Sequence, residues 1–173
     1  MPTSEILRDK LILAVHEEKD VLEIIEEEIS FEVENATLHC ATSFEIARQY
    51  LLSYTYDLAL LDIVGVQGFD LLEIAARTSV PTVVLTAHAF TPDALSKSIE
   101  LGARAFLHLE KLGSLVPFLE DVLKLNYQTA WKKPFDLIWA LFDRRYGADW
   151  RRTQEELWTE VGKRLTVEAS IIK

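Results

Sequence analysis

The sequence predicts an α/β protein: a doubly wound, five-stranded parallel sheet with a small C-terminal α-helical appendage. Three observations carry this. Short apolar runs at Lys10–Val15, Asp57–Ile63 and Pro81–Thr86 have the continuous hydrophobicity of strands buried on both faces. Amphipathic stretches at helical spacing alternate with the runs, and the connections are short, which is the order of a parallel sheet with crossover helices. The composition then changes near residue 127. Residues 1–127 hold 21 acids against 9 bases, residues 128–173 hold 7 against 9, and all four tryptophans lie in the second stretch. Two units follow: residues 1–127 as the sheet domain and residues 128–173 as a Trp-rich helical extension.

The elements follow in order. Lys10–Val15 (KLILAV) reads as the first strand, and Val21, Leu22, Ile25 and Ile29 mark one face of a helix over Glu18–Ile29. Ala36–Ala41 is the second strand, and Ser43 caps a helix that buries Phe44, Ala47 and Leu51. Asp57–Ile63 (DLALLDI) is the third strand, followed by a helix near Phe69–Arg77. Pro81–Thr86 is the fourth, with its proline at the first position, where a missing N–H matters least. Thr91-Pro92 opens the next helix with a cap residue and a first-turn proline, and Gly102 ends it. Arg104–Leu107 is the fifth strand, and Ser114 caps a helix that tolerates Pro117 in its first turn. In the extension, Phe135, Ile138, Trp139, Phe142 and Tyr146 share one helical face after Pro134. Asp149 or Thr153 can cap a second helix whose stripe is Trp150, Leu157, Trp158, Val161 and Leu165, and Thr153 with Glu156 has the form of a capping box.

The formal net charge of −10 argues against DNA binding, which needs a net basic face. A lone Cys40 excludes a disulfide framework, and no apolar stretch reaches the roughly 18 residues that span a bilayer. The N-terminus lacks the form of a signal peptide. The expectation is a cytoplasmic protein without membrane insertion.

In doubly wound sheets chemistry gathers at the carboxyl ends of the strands, where strand order reverses. Those ends carry His16, Glu17 and Glu18 after the first strand, Asp62 at the third and Thr86 at the fourth. Asp62 closes an apolar run at the lip of the sheet, where a carboxylate costs free energy unless paired or metal-bound. Two acids, a backbone carbonyl and waters make the usual oxygen set for Mg²⁺. A carboxylate can also be a nucleophile that forms an aspartyl phosphate, which needs a divalent ion, a hydroxyl and a cation around the phosphoryl oxygens. A merely structural carboxylate remains the alternative at this point. The second aspartate that a haloacid-dehalogenase-type phosphatase needs two residues on is Val64, and no glycine-rich phosphate loop or serine elbow is present. The protein does not read as an enzyme.

From Lys10 to Leu125 the sequence resembles the receiver domains of two-component response regulators, the CheY-like branch of the flavodoxin-like folds. LILAVHEEKD is similar to their first strand and acidic loop, YDLALLDI to the phosphoacceptor strand, VPTVVLTAHA to the threonine strand, and ELGARAFLHLEKL to the last strand and loop. The resemblance implies phosphotransfer from a histidine kinase or phosphotransfer protein to Asp62. Thr86 would be the hydroxyl that closes on the phosphoryl group, Ala87 the small residue beside it and Phe106 the switch aromatic. It implies Mg²⁺ held by Glu17, Asp62 and the Val64 carbonyl, with His16 or Glu18 as further candidates. Output would pass through a downstream protein partner or a homodimer.

The departures are specific. The first acidic position is His16, and the second is a glutamate, Glu17. The loop after Asp62 has Val66 where a proline is usual and reaches Gly68 two residues early. The position of the phosphate-binding lysine is Leu109, with Lys111 two residues on. A chain lacking that cation can be a phosphorylation-independent pseudo-receiver, an interaction module held in one state.

His88 reads as a solvent-facing loop residue and His108 as a plain loop residue. One of His39 and Cys40 should face the core. The acidic helix face of Glu23, Glu26, Glu27 and Glu28 reads as solvated surface. The pairs Lys132-Lys133, Arg144-Arg145 and Arg151-Arg152 among aromatics suggest an RNA-binding output as a further alternative for the extension.

Overall fold

A computed structural model describes residues 4–87, 91–124, 140 and 142–147. The expectations for His88, for the tryptophan stripes and for the basic pairs Lys132-Lys133 and Arg151-Arg152 lie outside the described residues.

Within residues 4–124, five strands and five helices alternate. They are β1 (Leu11–Val15), α1 (Lys19–Glu32), β2 (Thr37–Ala41), α2 (Phe44–Ser53), β3 (Leu58–Asp62), α3 (Gly68–Arg77), β4 (Thr82–Thr86), α4 (Pro92–Glu100), β5 (Ala105–His108) and α5 (Leu115–Lys124). The sheet is parallel throughout, in the order β2-β1-β3-β4-β5. The chain therefore winds one way from β1 to β2 and the other way from β3 to β5, and the reversal falls between β1 and β3.

Strand alternation divides the core. Leu13, Val15, Ala59, Leu61, Val84 and Phe106 meet α2, α3 and α4 on one side. Ile12, Ala14, Leu58, Leu60, Val83 and Leu85 meet α1 and α5 on the other. All of β3 and β4 is buried, which explains their unbroken apolar sequence. Two caps form as the sequence requires. Ser43 Oγ accepts the N–H of Ile46 at 3.3 Å, and Thr91 Oγ1 accepts that of Ala94 at 3.1 Å. Gly102 ends α4 with φ +100, a conformation that disfavours any residue with a Cβ.

The segment after β5 differs from expectation. His108, read as a loop residue, is the last residue of β5 and is buried. A 3₁₀ helix then spans Leu109–Ser114, so Ser114 ends one helical segment and α5 begins at Leu115. The His108 ring is the local cause: its Nδ1 accepts the N–H of Glu110 at 3.2 Å and so caps the 3₁₀ turn.

On β2, His39 rather than Cys40 shares a side with Leu13. It sits among Tyr50, Tyr54 and Tyr56, at ring distances of 5.2, 4.8 and 5.6 Å. Its Nδ1 is 2.7 Å from the Tyr56 hydroxyl. Burial pushes the Tyr56 phenol well above its ordinary pKa, and Tyr50 and Tyr54 add to the rise. On α1, Glu23, Glu26 and Glu27 are exposed, as a solvated face requires. Phe142, from the extension, is 4% exposed and joins the core on the α2–α4 side. Among the described residues no helix is long and apolar enough to cross a membrane.

Candidate functional site

The reversal point between β1 and β3 brings two polar side chains together. On β1 the even-numbered residues face α1 and α5, and so do Leu58 and Leu60 on β3. His16 and Asp62 continue those two rows past the last apolar residue, so they meet on one side of the sheet lip. Both are buried, at 6% and 8% exposure. A carboxylate this enclosed needs compensation. Asp62 Oδ1 accepts the N–H of Val64 at 3.0 Å, the turn-closing bond an aspartate makes two residues ahead. Asp62 Oδ2 lies 3.6 Å from His16 Nε2, just beyond hydrogen-bond reach and well within electrostatic reach.

The other nitrogen of His16 decides what that edge of the ring presents. His16 Nδ1 accepts the backbone N–H of Glu18 at 3.0 Å. A nitrogen that accepts carries no proton, so the neutral ring holds its proton on Nε2, facing Asp62. His16 also holds the turn through its own N–H, which donates to Ala41 O at 3.1 Å.

The loop from β3 to α3 is tight, as its early glycine implies. A Cβ on Gly68 would stand 2.2 Å from the carbonyl oxygen of Asp62 and 2.5 Å from Ile63 Cα, both backbone atoms. Only a glycine lets α3 start so close to the strand that carries Asp62. Gln67 before it takes φ 52 and ψ 47, a left-handed conformation that reverses the chain in one residue. Gly65 makes room for Glu17, whose carboxylate carbon would be 2.6 Å from a Cβ there. Glu17 is exposed and lies across the loop backbone, and Val64 is exposed beside it.

Thr86 and Phe106 leave the sheet on the α2–α4 side, in the row of Val84, while Asp62 leaves on the other. Thr86 is 1% exposed, and its hydroxyl has no hydrogen-bond partner among the described residues. Thr82, on the same side of the same strand, is equally buried but donates to Val80 O at 3.1 Å. Phe106 is fully buried. Leu109 packs against the α1 and α5 core, and Lys111 is exposed on the 3₁₀ turn. Asp62 therefore meets His16 and Val64, and no lysine pairs with it among the described residues.

As a donor set these residues do not suit Mg²⁺, which takes hard oxygen ligands in octahedral array. One oxygen of Asp62 is engaged by a backbone N–H, and the other faces a protonated ring nitrogen rather than a second acid. Among the described residues no three His, Cys, Asp or Glu side chains gather closely enough to hold a metal ion. Glu18 is exposed and contributes its N–H to His16 rather than its carboxylate to the site.

Sequence reasoning singled out Asp62, Thr86, Phe106, Glu17 and His16. It missed the glycine cradle and the Glu18 N–H that sets the His16 ring. The spacing of Gly65 and Gly68, three apart just after a strand-ending aspartate, was the available signal for the cradle. Nothing in the sequence signalled the tautomer.

No protein-family model matches the chain, and no curated protein matches it. Solved structures do. A two-component response regulator from Clostridium difficile is 21% identical, with a TM-score of 0.59, over 66% of this chain and 96% of that one. A putative response regulator from Chloroflexus aurantiacus is 22% identical, with a TM-score of 0.57, over 67% and 98%. The phosphorylated cyanobacterial phytochrome response regulator RcpA is 21% identical, with a TM-score of 0.57, over 65% and 91%. At these identities the likeness establishes the fold. About two thirds of the chain has the architecture of a CheY-like receiver domain.

Proposed function

We propose that this chain is a receiver-type signalling module that acts through contacts with other proteins, and that a Mg²⁺-dependent aspartyl phosphate does not set its state. Leu109 carries this reading. A phosphoryl group on Asp62 brings negative charge that a buried site stabilises with fixed cations. At the position where the resembling family supplies a lysine, this chain has a partly buried leucine packed against the core formed with α1 and α5. Without that cation, phosphorylation has little purchase on the Thr86 loop. The partners on this reading are proteins of two-component pathways: a histidine kinase or phosphotransfer protein upstream, a downstream target, or a second copy of the chain.

A second reading has its own support. The buried Thr86 hydroxyl, without a partner among the described residues, is the group a phosphoryl oxygen would satisfy. In this case an Asp62 oxygen attacks the phosphorus of an acyl phosphate, the bond to the carboxylate leaving group breaks, and acetate departs when the donor is acetyl phosphate.

One experiment separates them. The protein and an Asp62→Asn variant are incubated with acetyl phosphate and Mg²⁺, and intact mass is measured. An adduct of about 80 Da confined to the parent protein supports the phosphoacceptor. Unchanged mass in both supports the phosphorylation-independent module.

A further inference from the structure

Asp62 is a buried carboxylate that pairs with no lysine or arginine among the described residues. Lys111, two residues past position 109, is exposed on the 3₁₀ turn, and position 109 is filled by an apolar side chain. What faces Asp62 is an imidazole, 7% exposed at its side chain, with Nε2 3.6 Å from Oδ2. The ring is not free to turn a lone pair toward an ion. Its Nδ1 is held by the Glu18 N–H at 3.0 Å, at the point where α1 begins. Reversing the ring to expose a lone pair at Asp62 would break that bond and leave a donor N–H uncompensated. His16 thus offers Asp62 the positive end of an N–H dipole on Nε2, and offers a metal ion nothing.

We propose that His16 compensates Asp62 in place of a divalent cation, so that the site has no affinity for Mg²⁺ or Mn²⁺ and acquires one when His16 is exchanged for a carboxylate. The inference deepens the phosphorylation-independent reading and rests on it. The gain of affinity follows from charge. With aspartate at position 16, two carboxylates would meet at the lip with Glu17 beside them, and their repulsion is relieved by a cation that accepts oxygen ligands. Neither step depends on the exposed Glu18 carboxylate.

The test uses the full chain. Mn²⁺ is titrated with detection of free ion by electron paramagnetic resonance, and Mg²⁺ by calorimetry. The parent protein should show no saturable site at millimolar ion. The His16→Asp variant should show one, and His16→Asp combined with Asp62→Asn should lose it. Saturable binding by the parent that disappears in Asp62→Asn overturns the proposal, as does a folded His16→Asp variant that binds neither ion. Should His16→Asp fail to fold, a stability cycle decides. His16→Ala should lower Tm by about 3–6 °C more in the parent than in the Asp62→Asn background, and equal losses overturn the pairing. The mass experiment remains independent. Metal binding without an adduct sinks this inference alone, and an adduct formed in a protein that binds no metal sinks the functional reading alone.

Discussion

Thr86→Val should make this protein more stable, while Thr82→Val should make it less so. The two threonines lie on the same strand and side and are both 1% exposed. Valine preserves the β-branched shape and suits a strand equally well, so backbone preference cancels. The hydroxyls differ. That of Thr82 donates to Val80 O at 3.1 Å, and that of Thr86 is buried without a partner among the described residues. Losing a made hydrogen bond costs about 1 kcal/mol, while an unsatisfied buried hydroxyl carries a penalty of about 1–3 kcal/mol that its removal relieves. The pair should therefore differ by about 2–4 kcal/mol, with Thr86→Val about 1–3 kcal/mol above the parent. Urea unfolding followed by circular dichroism measures this as opposite shifts of the midpoint at unchanged slope. Should both variants lose stability equally, the Thr86 hydroxyl has a partner in solution, and its availability to a phosphoryl oxygen falls with the argument.

Three further outcomes are expected. Gly68→Ala should cost about 1–3 kcal/mol, because its methyl would overlap the Asp62 backbone, whereas Gly65→Ala should cost less, because the exposed Glu17 side chain can swing aside; thermal unfolding of the two variants checks the order. Phe142→Ala should cost about 3 kcal/mol, because it empties a buried site in the α2–α4 core, and an unchanged urea midpoint would refute that packing. Stability should decline as pH rises above about 10, where the unfolded chain ionises Tyr56 and the folded one, whose phenol pKa is raised by burial, does not. Tyr56→Phe should flatten that decline, as equilibrium unfolding at alkaline pH would show.

The strands were legible because a parallel strand buried on both faces must be apolar throughout, and LALLD and TVVLT have no other comfortable place. The helix starts at Ser43 and Thr91 were legible because capping is local chemistry over three residues. Asp62 and Thr86 were legible as site candidates for a related reason: a polar residue ending a buried strand stands at the sheet lip. The 3₁₀ turn after β5 was not, since it depends on a buried His108 ring capping its own chain. Phe142 was read as part of an amphipathic stripe, but which surface it covers is a long-range matter that periodicity does not address.

The sequence by itself determined the five alternating strands and helices of a doubly wound sheet, and the loss of an acid and a lysine from the positions where the receiver resemblance expects them. Alternation, capping and residue identity are properties of neighbours along the chain. Only the tertiary structure decided what replaced them: a leucine packed against the α1 and α5 core, and an imidazole set against Asp62 by the Glu18 N–H. The orientation of a histidine ring and the exposure of a carboxylate depend on atoms that folding brings together from separate strands, and no pattern along one strand encodes them.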